Sequence, residues 1–522
     1  MSKAKQRAGA IAGGHRETIR AAEITLEEGG NAFDAVMAAM VASGISEPVL
    51  SSMGGGGFLM AAPVDAAPVI YDFFAHTPGR HAPVDGRDFT PVICDFGTTQ
   101  QEFHIGRASI AAPGAIKGLF EVVGELGKMP VQRVIEPAIA LARDGVSINE
   151  MQAKIFQVVG GIYMSTPESR ALFASKKDET QLIGVGEHFS NIAFADAMEA
   201  IAHEGEDLFY RGEISARIDE DCQMGGALRR QDLENYRVIR RQPLQTQYRD
   251  TTFLTNPPPS SGGILIAFGL ALLNELDLSE VAFGSPDHLH NLIRVMQLTQ
   301  QARIETGLNQ SGEEETELTL LSEELLEDYR KQILGAPASR RGTTHMSVVD
   351  GEGNAAALTI SNGEGAGYIV PDTGIMLNNM LGEEDINPRG FHNWLTDTRL
   401  SSMMAPSLLR QPDDQITALG SGGSNRIRTA ILQVVVNLVD QQMSLEDAIA
   451  APRIHFEGDR LDIEAGFERD VIEKIARSFE DAKIWDEKNL FFGGVHGVRI
   501  EPETKNIWAT GDDRRDGCGV VL

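Results

Sequence analysis

Apolar residues recur three and four positions apart along residues 16–44, and only the segment GGN at 29–31 interrupts them. This spacing lines one face of a helix, so the stretch predicts two helices joined at the glycines. Asn31 is the predicted N-cap of the second helix, because its side chain can accept hydrogen bonds from first-turn backbone N–H groups. That helix consists of small apolar residues, which predicts burial on most of its sides.

Four consecutive glycines at residues 54–57 run directly into the apolar segment FLM at 58–60. Glycine permits positive φ and close approach of two backbones, so the pattern predicts a tight loop that feeds a strand. A phosphate-binding loop is disfavoured, because no Lys-Ser or Lys-Thr pair follows the glycines. Close packing around an active-site strand is the favoured interpretation.

Three further elements are predicted in the middle of the chain. Residues 131–144 have the apolar spacing of an amphipathic helix, and residues 232–239 predict a short helix before a strand. The segment NPPPSSGG at 256–263 predicts a stiff loop, because proline restricts both itself and the residue before it. An apolar helix is predicted over residues 264–273.

The character of the sequence changes at residue 343. Residues 310–342 are polar and acidic, then rich in Gly, Ala, Pro and Ser, which is typical of a loosely held helix and a mobile tail. Residues 343–350 alternate like a strand, GEGN at 351–354 predicts a turn, and residues 355–360 predict a second strand. A buried strand directly after a mobile tail is the arrangement expected if cutting creates its N-terminus.

Composition indicates a globular protein, since 42% of the 522 residues are hydrophobic and 23% are charged. The formal net charge of −29 argues against nucleic acid or an anionic membrane as a partner, because both require clustered Lys and Arg. Solubility is the simplest explanation of the charge, and adaptation to a salty interior is the alternative.

The three cysteines, Cys94, Cys222 and Cys518, are odd in number and far apart. They predict neither a disulfide framework nor a metal site, and they fit a reducing compartment. The N-terminus has no apolar segment of the secretory type, and no run of 18 apolar residues occurs. We therefore expect a soluble, cytoplasmic protein.

Thr343 is a candidate nucleophile, although no Ser-His-Asp order and no G-x-S-x-G segment accompany it. If the bond between Gly342 and Thr343 breaks, the freed α-amine has a reference pKa of about 7.7–8.0. That amine can act as the base for the hydroxyl of its own residue. Gly342 has no side chain to hinder attack on its carbonyl. Taken alone, the same segment is also an ordinary polar start of a strand.

Several segments resemble motifs of the γ-glutamyltransferase (γ-glutamyltranspeptidase) family, which belongs to the N-terminal-nucleophile hydrolase superfamily, and they occur in the same order as in that family. The similarity covers nearly the whole chain and is carried by these segments: EGGNAFDAVMAAMVASGISEPVLSSMGGGGFLM, PPPSSGG, GTTHMSVVDGEGNAAALT, TGIMLNN, LSSMMAP and GSGGSNRIRTA. The resemblance implies an α+β fold, a four-layer αββα sandwich. It also implies autocleavage into a large subunit, 1–342, and a small subunit, 343–522, which form one intertwined domain as a heterodimer.

The implied activity is transfer of a γ-glutamyl-like acyl group from an amide such as glutathione to Thr343, then to water or an amine. The implied partners are a small-molecule amide and the two fragments of the chain itself. No cofactor and no metal are expected for this chemistry. Neither nucleic acid nor a membrane is an expected partner.

The resemblance also assigns reaction roles. Thr343 takes the role of the nucleophile, and Ser361 matches a second hydroxyl residue, usually Thr, that assists the nucleophile's amine. The backbone N–H groups of Gly422 and Gly423, with Ser424 as a third candidate, would form the oxyanion hole. Such donors stabilise a tetrahedral oxyanion. Without the resemblance, the GSGGS segment would be interpreted as a plain turn.

Ser401 and Ser402 match the paired serines with which the family binds the α-carboxylate of the glutamyl group. The alternative is that both hydroxyls only satisfy backbone groups of a loop. The family's carboxylate-binding arginine is replaced here by Phe74, which cannot pair with a carboxylate. Arg80 and Arg107 are the candidates to supply a guanidinium from elsewhere in the chain.

Recognition of the glutamyl α-amine also departs from the family. The family's amine-binding Asn falls near Asn362 or Gly363, and the family's amine-binding Gln is replaced by Met380. An acidic cluster, EED at 383–385, stands where the family has one acidic residue, and Glu383 is the nearest match. The cluster is either an ammonium site or a solvated acidic turn.

These departures keep the reaction class and weaken the substrate assignment, because a site without charged partners should not favour a charged acyl group. Efficient transpeptidation is therefore less expected than hydrolysis. A second hypothesis is a side-chain amide acylase of the same superfamily, which takes a less charged acyl group. A third is an uncleaved, non-catalytic binding protein, which would need neither Thr343 nor the glycine loop.

Overall fold

A computed structural model of the chain describes residues 9–95, 100–276, 278–306, 321–322, 326, 343–384, 386–387 and 389–522. The described strands are β1 Gly9–Gly13, β2 Gly56–Ala62, β3 Val69–Phe73, β4 Thr90–Asp95, β5 Gln100–Ile105, β6 Val146–Ser147, β7 His188–Phe189, β8 Ile239–Arg241, β9 Leu244–Tyr248, β10 Thr251–Thr255, β11 Thr344–Asp350, β12 Ala355–Ser361, β13 Ser407–Arg410, β14 Ile416–Gly422, β15 Ile454–Glu457, β16 Arg460–Ile463, β17 Asp481–Ile484, β18 Gly494–Glu501, β19 Asn506–Thr510 and β20 Cys518–Val521. The described helices are α1 Arg16–Glu27, α2 Ala32–Ser46, α3 Ala115–Leu126, α4 Val131–Asp144, α5 Glu150–Val158, α6 Gly160–Tyr163, α7 Pro167–Phe173, α8 Ile192–Glu204, α9 Asp207–Tyr210, α10 Glu213–Cys222, α11 Arg230–Asn235, α12 Ser261–Leu273, α13 Pro286–Glu305, α14 Arg426–Val439, α15 Leu445–Ala450 and α16 Arg469–Ala476.

Two antiparallel sheets form the centre of the molecule. The first has seven strands in the order β20-β1-β11-β12-β2-β3-β8, and the second has six in the order β19-β18-β14-β13-β10-β9. They face each other through contacts of β11 with β14 and β18. Helices α1 to α3 pack on the outer side of the first sheet, and α12 and α14 on the outer side of the second. The predicted four-layer αββα sandwich is confirmed.

The local predictions near the N-terminus are confirmed, because short-range chemistry determines them. The side chain of Asn31 accepts hydrogen bonds from the N–H groups of Phe33 and Asp34, and the carboxylate of Asp34 accepts one from the N–H of Asn31. This reciprocal capping box fixes the start of α2. Every residue of α2 except Gly44 is buried, as its small apolar composition predicts.

The predicted helix over residues 131–144 is α4, and the predicted hairpin is β11 with β12. The helix after the proline-rich segment begins at Ser261, three residues earlier than predicted. The first-turn N–H groups of Ser261 and Gly262 donate to the carbonyl oxygen of Ser402, which satisfies the helix start there. A Cβ added at Gly262 would lie 2.0 Å from the carbonyl oxygen of Met403, so this first turn requires glycine. The two glycines of the proline-rich segment, Gly262 and Gly263, thus belong to the first turn of α12 rather than to the loop.

The glycine run at 54–57 lies against the nucleophile hairpin. Gly56 and Gly57 belong to β2, which pairs with β12, and a Cβ at Gly55 would lie 2.3 Å from the carbonyl oxygen of Ser361. The predicted close packing around this strand is therefore present. The loose helix and tail predicted over 310–342 fall outside the described residues, apart from 321, 322 and 326.

The described part of the chain contains no membrane-spanning helix, no metal-binding cluster and no disulfide. None of its helices combines the length and apolarity that crossing a bilayer requires. No three His, Cys, Asp or Glu side chains converge there in a way that would hold a metal ion. Cys94, Cys222 and Cys518 are all free thiols.

Candidate active site

Thr343 directly precedes β11, which lies inside the seven-stranded sheet between β1 and β12. Only 4% of Thr343 is exposed. In the β11–β12 hairpin Thr344 pairs with Ile360, so Thr343 lies level with Ser361, the last residue of β12. Two hydroxyl side chains therefore stand at the same end of neighbouring strands.

A cavity opens at this end of the sheet, and we call it the acyl cavity. The described residues that line it are Phe74, Ser261, Thr343, Ser361, Met380, Glu383, Ile386, Ser401, Ser402, Met403, Met404, Ser424, Asn425 and Ile427. Eight of them are residues for which the sequence predicted a catalytic or substrate-binding role, counting Ser424 as a candidate oxyanion donor. The structure thus brings the candidate nucleophile, its hydroxyl partner and the paired serines into one space.

The glycine loop predicted as the oxyanion hole passes beside the nucleophile. Gly422 ends β14, and a Cβ added to it would lie 2.0 Å from the carbonyl oxygen of Thr343. The next residue, Gly423, has φ of +117°, which a residue with a side chain rarely adopts. Ser424 then leads through Asn425 into α14. The loop therefore requires glycine at both positions, the first for contact and the second for backbone conformation.

The paired serines are held by the proline-rich segment. The Ser260 hydroxyl and the Ser261 N–H both donate to the carbonyl oxygen of Ser402, at 2.9 and 2.7 Å. The Ser402 hydroxyl itself accepts a hydrogen bond of 3.1 Å from the N–H of Met404. Ser401 and Ser402 also line the acyl cavity. Ser402 is thus held by the proline-rich segment, although neither motif alone indicates this contact.

Phe74, which the sequence resemblance aligns with an arginine, lies in the wall of the acyl cavity. Its ring stacks on Phe58 with centroids 5.3 Å apart, and 1% of the residue is exposed. None of the described lining residues of this cavity is Lys or Arg. The side of the cavity near Phe74 is therefore apolar.

The two arginines considered as substitutes do not line the acyl cavity. Arg80 is exposed, and Arg107 pairs with Asp88 at 2.9 Å. Sequence analysis missed Arg399, a buried arginine immediately behind Phe74. Arg399 donates to the carbonyl oxygen of Phe74 and lies 3.3 Å from a carboxylate oxygen of Asp72. Its guanidinium is thus engaged in the protein framework.

Only some of the residues predicted to recognise the substrate's α-amine line the acyl cavity. Glu383 and Met380 line the acyl cavity, and a Cβ at Gly363 would lie 2.1 Å from a carboxylate oxygen of Glu383. Asn362 is fully buried and does not line this cavity, and its amide atoms have no hydrogen-bond partner among the described residues. Glu384 is exposed, whereas Asp385 lies outside the described residues.

A buried carboxyl and a buried guanidinium, both missed by sequence analysis, contact the first residues of the hairpin. Glu47 accepts hydrogen bonds of 2.7 Å from the hydroxyls of Thr344 and Thr18. Burial raises the pKa of Glu47, while these hydrogen bonds and the charge of Arg515 lower it. Arg515 donates a 3.0 Å hydrogen bond to the carbonyl oxygen of Thr343.

His345, two residues after Thr343, is a buried residue whose two ring nitrogens are both engaged by neighbouring hydroxyls. Its ring nitrogens lie 2.8 Å from the Thr359 hydroxyl and 2.9 Å from the Ser347 hydroxyl, in a fully buried position. Burial keeps the pKa of His345 well below its usual value, so the ring is neutral. It packs against Gly420, where a Cβ would lie 2.3 Å from the ring. The predicted cleavage partner Gly342 lies outside the described residues.

Comparison with known proteins finds a family model and relatives that match nearly the whole chain. The gamma-glutamyltranspeptidase family model matches residues 20–522. The glutathione hydrolase proenzyme of Escherichia coli (strain K12) is 29% identical over 521 residues, covering 94% of this chain and 87% of that protein. The acylase ACY 1 proenzyme of Pseudomonas sp. (strain SE83) is 28% identical over 512 residues, covering 95% of this chain and 90% of that protein.

Solved structures show the same fold. Cephalosporin acylase from Bacillus halodurans superposes with a TM-score of 0.82 at 21% identity, covering 100% of this chain and 97% of that chain. Gamma-glutamyltranspeptidase from Helicobacter pylori gives a TM-score of 0.54 at 22% identity, covering 65% of this chain and 95% of that chain.

Proposed function

Because this chain belongs to the gamma-glutamyltranspeptidase family, we propose that it cuts itself between Gly342 and Thr343 and then hydrolyses amides through Thr343. The protein is an enzyme of the N-terminal-nucleophile hydrolase or transferase type. The observation that carries the proposal is the position of Thr343, buried at the start of β11, on the acyl cavity and against Gly422.

Maturation, in this proposal, uses the hydroxyl of Thr343. The hydroxyl oxygen attacks the carbonyl carbon of Gly342, and the hydroxyl proton passes to the nitrogen of Thr343 as the C–N bond breaks. An ester then joins Gly342 to the side chain of Thr343. Water then hydrolyses the ester and leaves a carboxylate on Gly342 and a free α-amine on Thr343. The products are the large fragment, 1–342, and the small fragment, 343–522, which we propose stay together as a heterodimer.

Catalysis repeats the same chemistry on a substrate. The α-amine of Thr343 takes the proton of its own hydroxyl, and the oxygen attacks the substrate's amide carbonyl. The N–H groups of Gly422 and Gly423 stabilise the oxyanion of the tetrahedral intermediate. The proton then passes to the departing amine, and water releases the acyl group from the resulting ester. In this proposal Ser361, which lies level with Thr343, assists the amine.

The acyl cavity favours a second candidate for the substrate over a γ-glutamyl group. Phe74 and Met380 replace charged and polar partners of the glutamyl group, and no Lys or Arg occurs among the described residues lining the cavity. Ser401 and Ser402 can hydrogen-bond a carbonyl or a carboxylate without supplying charge. We therefore propose a side-chain amide acylase activity, with an acyl group that carries less charge than γ-glutamyl.

Three anilides that differ only in their acyl group test this proposal: γ-glutamyl, glutaryl and pentanoyl. We expect the matured enzyme to release aniline from the glutaryl or the pentanoyl compound at least about tenfold faster than from the γ-glutamyl compound, since leaving a buried polar group unpaired costs ~1–3 kcal/mol and leaving a charged group unpaired costs more. Glutathione serves as the natural-type comparison. Fastest release from the γ-glutamyl compounds would overturn the acylase assignment and leave amide hydrolysis standing.

Phe74→Arg should restore recognition of a carboxylate. We expect kcat/KM for the γ-glutamyl and glutaryl anilides to rise about tenfold or more, because a charge-assisted hydrogen bond contributes ~1.5–3 kcal/mol. The pentanoyl anilide should not gain. Phe74→Leu is the matched control, since it removes the ring without adding charge, and thermal melting monitors the burial of the new guanidinium. Equal kcat/KM changes on all three anilides would show that position 74 does not face the substrate's carboxylate.

A further inference from the structure

A second cavity, lined by other residues, also reaches Thr343, and we call it the rear cavity. Its described lining residues are Gly14, His15, Glu47, Pro48, Val49, Leu50, Asn149, Met151, Gln152, Ile155, Phe156, Thr343, Thr344, Gly422, His496 and Arg515. Thr343 is common to both cavities. Among the described residues that line either one, Arg515 is the single Lys or Arg.

The guanidinium of Arg515 contacts both parts of the reaction machinery. Its Nη1 donates to the carbonyl oxygen of Thr343 at 3.0 Å. A Cβ added at Gly422 would lie 3.1 Å from Nη1, and one at Gly423 would lie 3.0 Å from Nη2. The guanidinium therefore lies directly against the nucleophile residue and the glycine loop at once.

Arg515 remains a cation at neutral pH. Burial lowers its pKa to about 10, and the carboxylates of Asp512, Glu47 and Glu364 act in the opposite direction. The residue is 7% exposed, so solvent screens its charge little. Within a single residue the α-nitrogen and the carbonyl oxygen are less than about 4 Å apart, which places the Thr343 nitrogen within about 7 Å of Nη1.

Building on the proposed function, we propose that Arg515 is a positioning residue that fixes the Thr343 carbonyl and keeps the α-amine of Thr343 neutral. A nearby cation disfavours protonation of an amine, and only the neutral amine can accept the hydroxyl proton. The same charge lies against the loop whose N–H groups would bind the oxyanion, so it also favours negative charge there.

The other titratable groups around Thr343 and Arg515 are two histidines and four carboxyl groups. His15 and His496 are neutral, because burial lowers the pKa of each to about 4. Burial raises the pKa of Glu47, which favours its neutral form, and its oxygens are engaged by Thr344 and Thr18. The remaining carboxyl groups around the site are Glu364, Glu383 and Asp512.

The test is the pH dependence of kcat/KM for the matured wild type, Arg515→Gln and Arg515→Lys. Activity falls at low pH because the amine becomes protonated, so the acid limb of the profile reports the pKa of the amine. Removing the cation should raise that pKa. We expect the acid limb to move up by about one pH unit or more in the Gln variant and by less than about 0.3 in the Lys variant. Arg499→Gln is the matched control, because it removes a largely buried arginine that bonds Thr417.

Each outcome decides the proposal. An acid limb that stays in place in Arg515→Gln, whatever the loss in kcat, would overturn the electrostatic role. If the Gln variant stays uncleaved but melts like the wild type while the Lys variant matures, a cation is required at maturation, where the Thr343 nitrogen is still an amide, and this supports the effect on the oxyanion. The acid limb of the Lys variant then tests the effect on the amine, and an upward displacement of that limb would overturn it. If neither variant is cleaved although both melt normally, the proposal that a positive charge suffices is wrong. An uncleaved wild type would instead overturn the proposed function itself.

Discussion

Thr343→Ala is expected to leave one intact chain and to abolish amide hydrolysis. The hydroxyl of Thr343 is the proposed attacking group both in maturation and in turnover, and a methyl group can replace it in neither. We expect amide hydrolysis to fall by at least about 10⁴-fold, the scale on which loss of a nucleophile acts in other hydrolases. Denaturing electrophoresis and an anilide assay on the same preparation measure both effects.

Thr343→Ser is the matched control for this variant, because it keeps the hydroxyl and removes only the methyl group. It should still be cleaved, at a lower rate, and should retain measurable hydrolysis. Scission of Thr343→Ala between residues 342 and 343 would contradict the assignment of the nucleophile. A melting temperature close to that of the wild type would show that the loss of activity is chemical.

Gly422→Ala is expected to cause the second largest loss. The new Cβ would lie 2.0 Å from the carbonyl oxygen of Thr343 and 2.8 Å from its carbonyl carbon. Both are backbone atoms, so either the strand start or the glycine loop must move. Loss of one oxyanion donor alone lowers rates by about 10²–10³-fold, and we expect at least this reduction in kcat together with slower cleavage.

Gly124→Ala provides the control, because a Cβ at this exposed position in α3 would meet nothing within 4 Å. It should leave cleavage and kcat unchanged and stabilise the helix by up to about 1 kcal/mol. Equal kcat in Gly422→Ala and in the wild type would show that the loop at 422–424 is not the oxyanion hole.

The parts of the fold that short-range chemistry determines were predictable. The Asn31 cap, the helix at 131–144 and the β11–β12 hairpin each depend on residues close in sequence. The order of motifs, through family resemblance, also predicted which residues meet at the acyl cavity. Their roles, the cleavage site, the division into two subunits and the cytoplasmic location stay predictions.

The missed residues share one physical reason, which is distance along the chain. Thr344 and Glu47 are 297 residues apart, and Arg515 and Thr343 are 172 apart. Arg399 meets the carbonyl of Phe74 across 325 residues. No periodicity or local motif marks a side chain that acts on an element from another layer. Adjacent residues can also differ in their surroundings: Ser361 lines the acyl cavity, whereas its neighbour Asn362 does not.

Intact-mass spectrometry with N-terminal sequencing of hydrolytically active protein is the most direct test of the central claim. We predict two fragments that remain associated under native conditions, the smaller consisting of residues 343–522 and beginning with Thr343. An active preparation whose backbone is continuous from Gly342 to Thr343 would contradict the account.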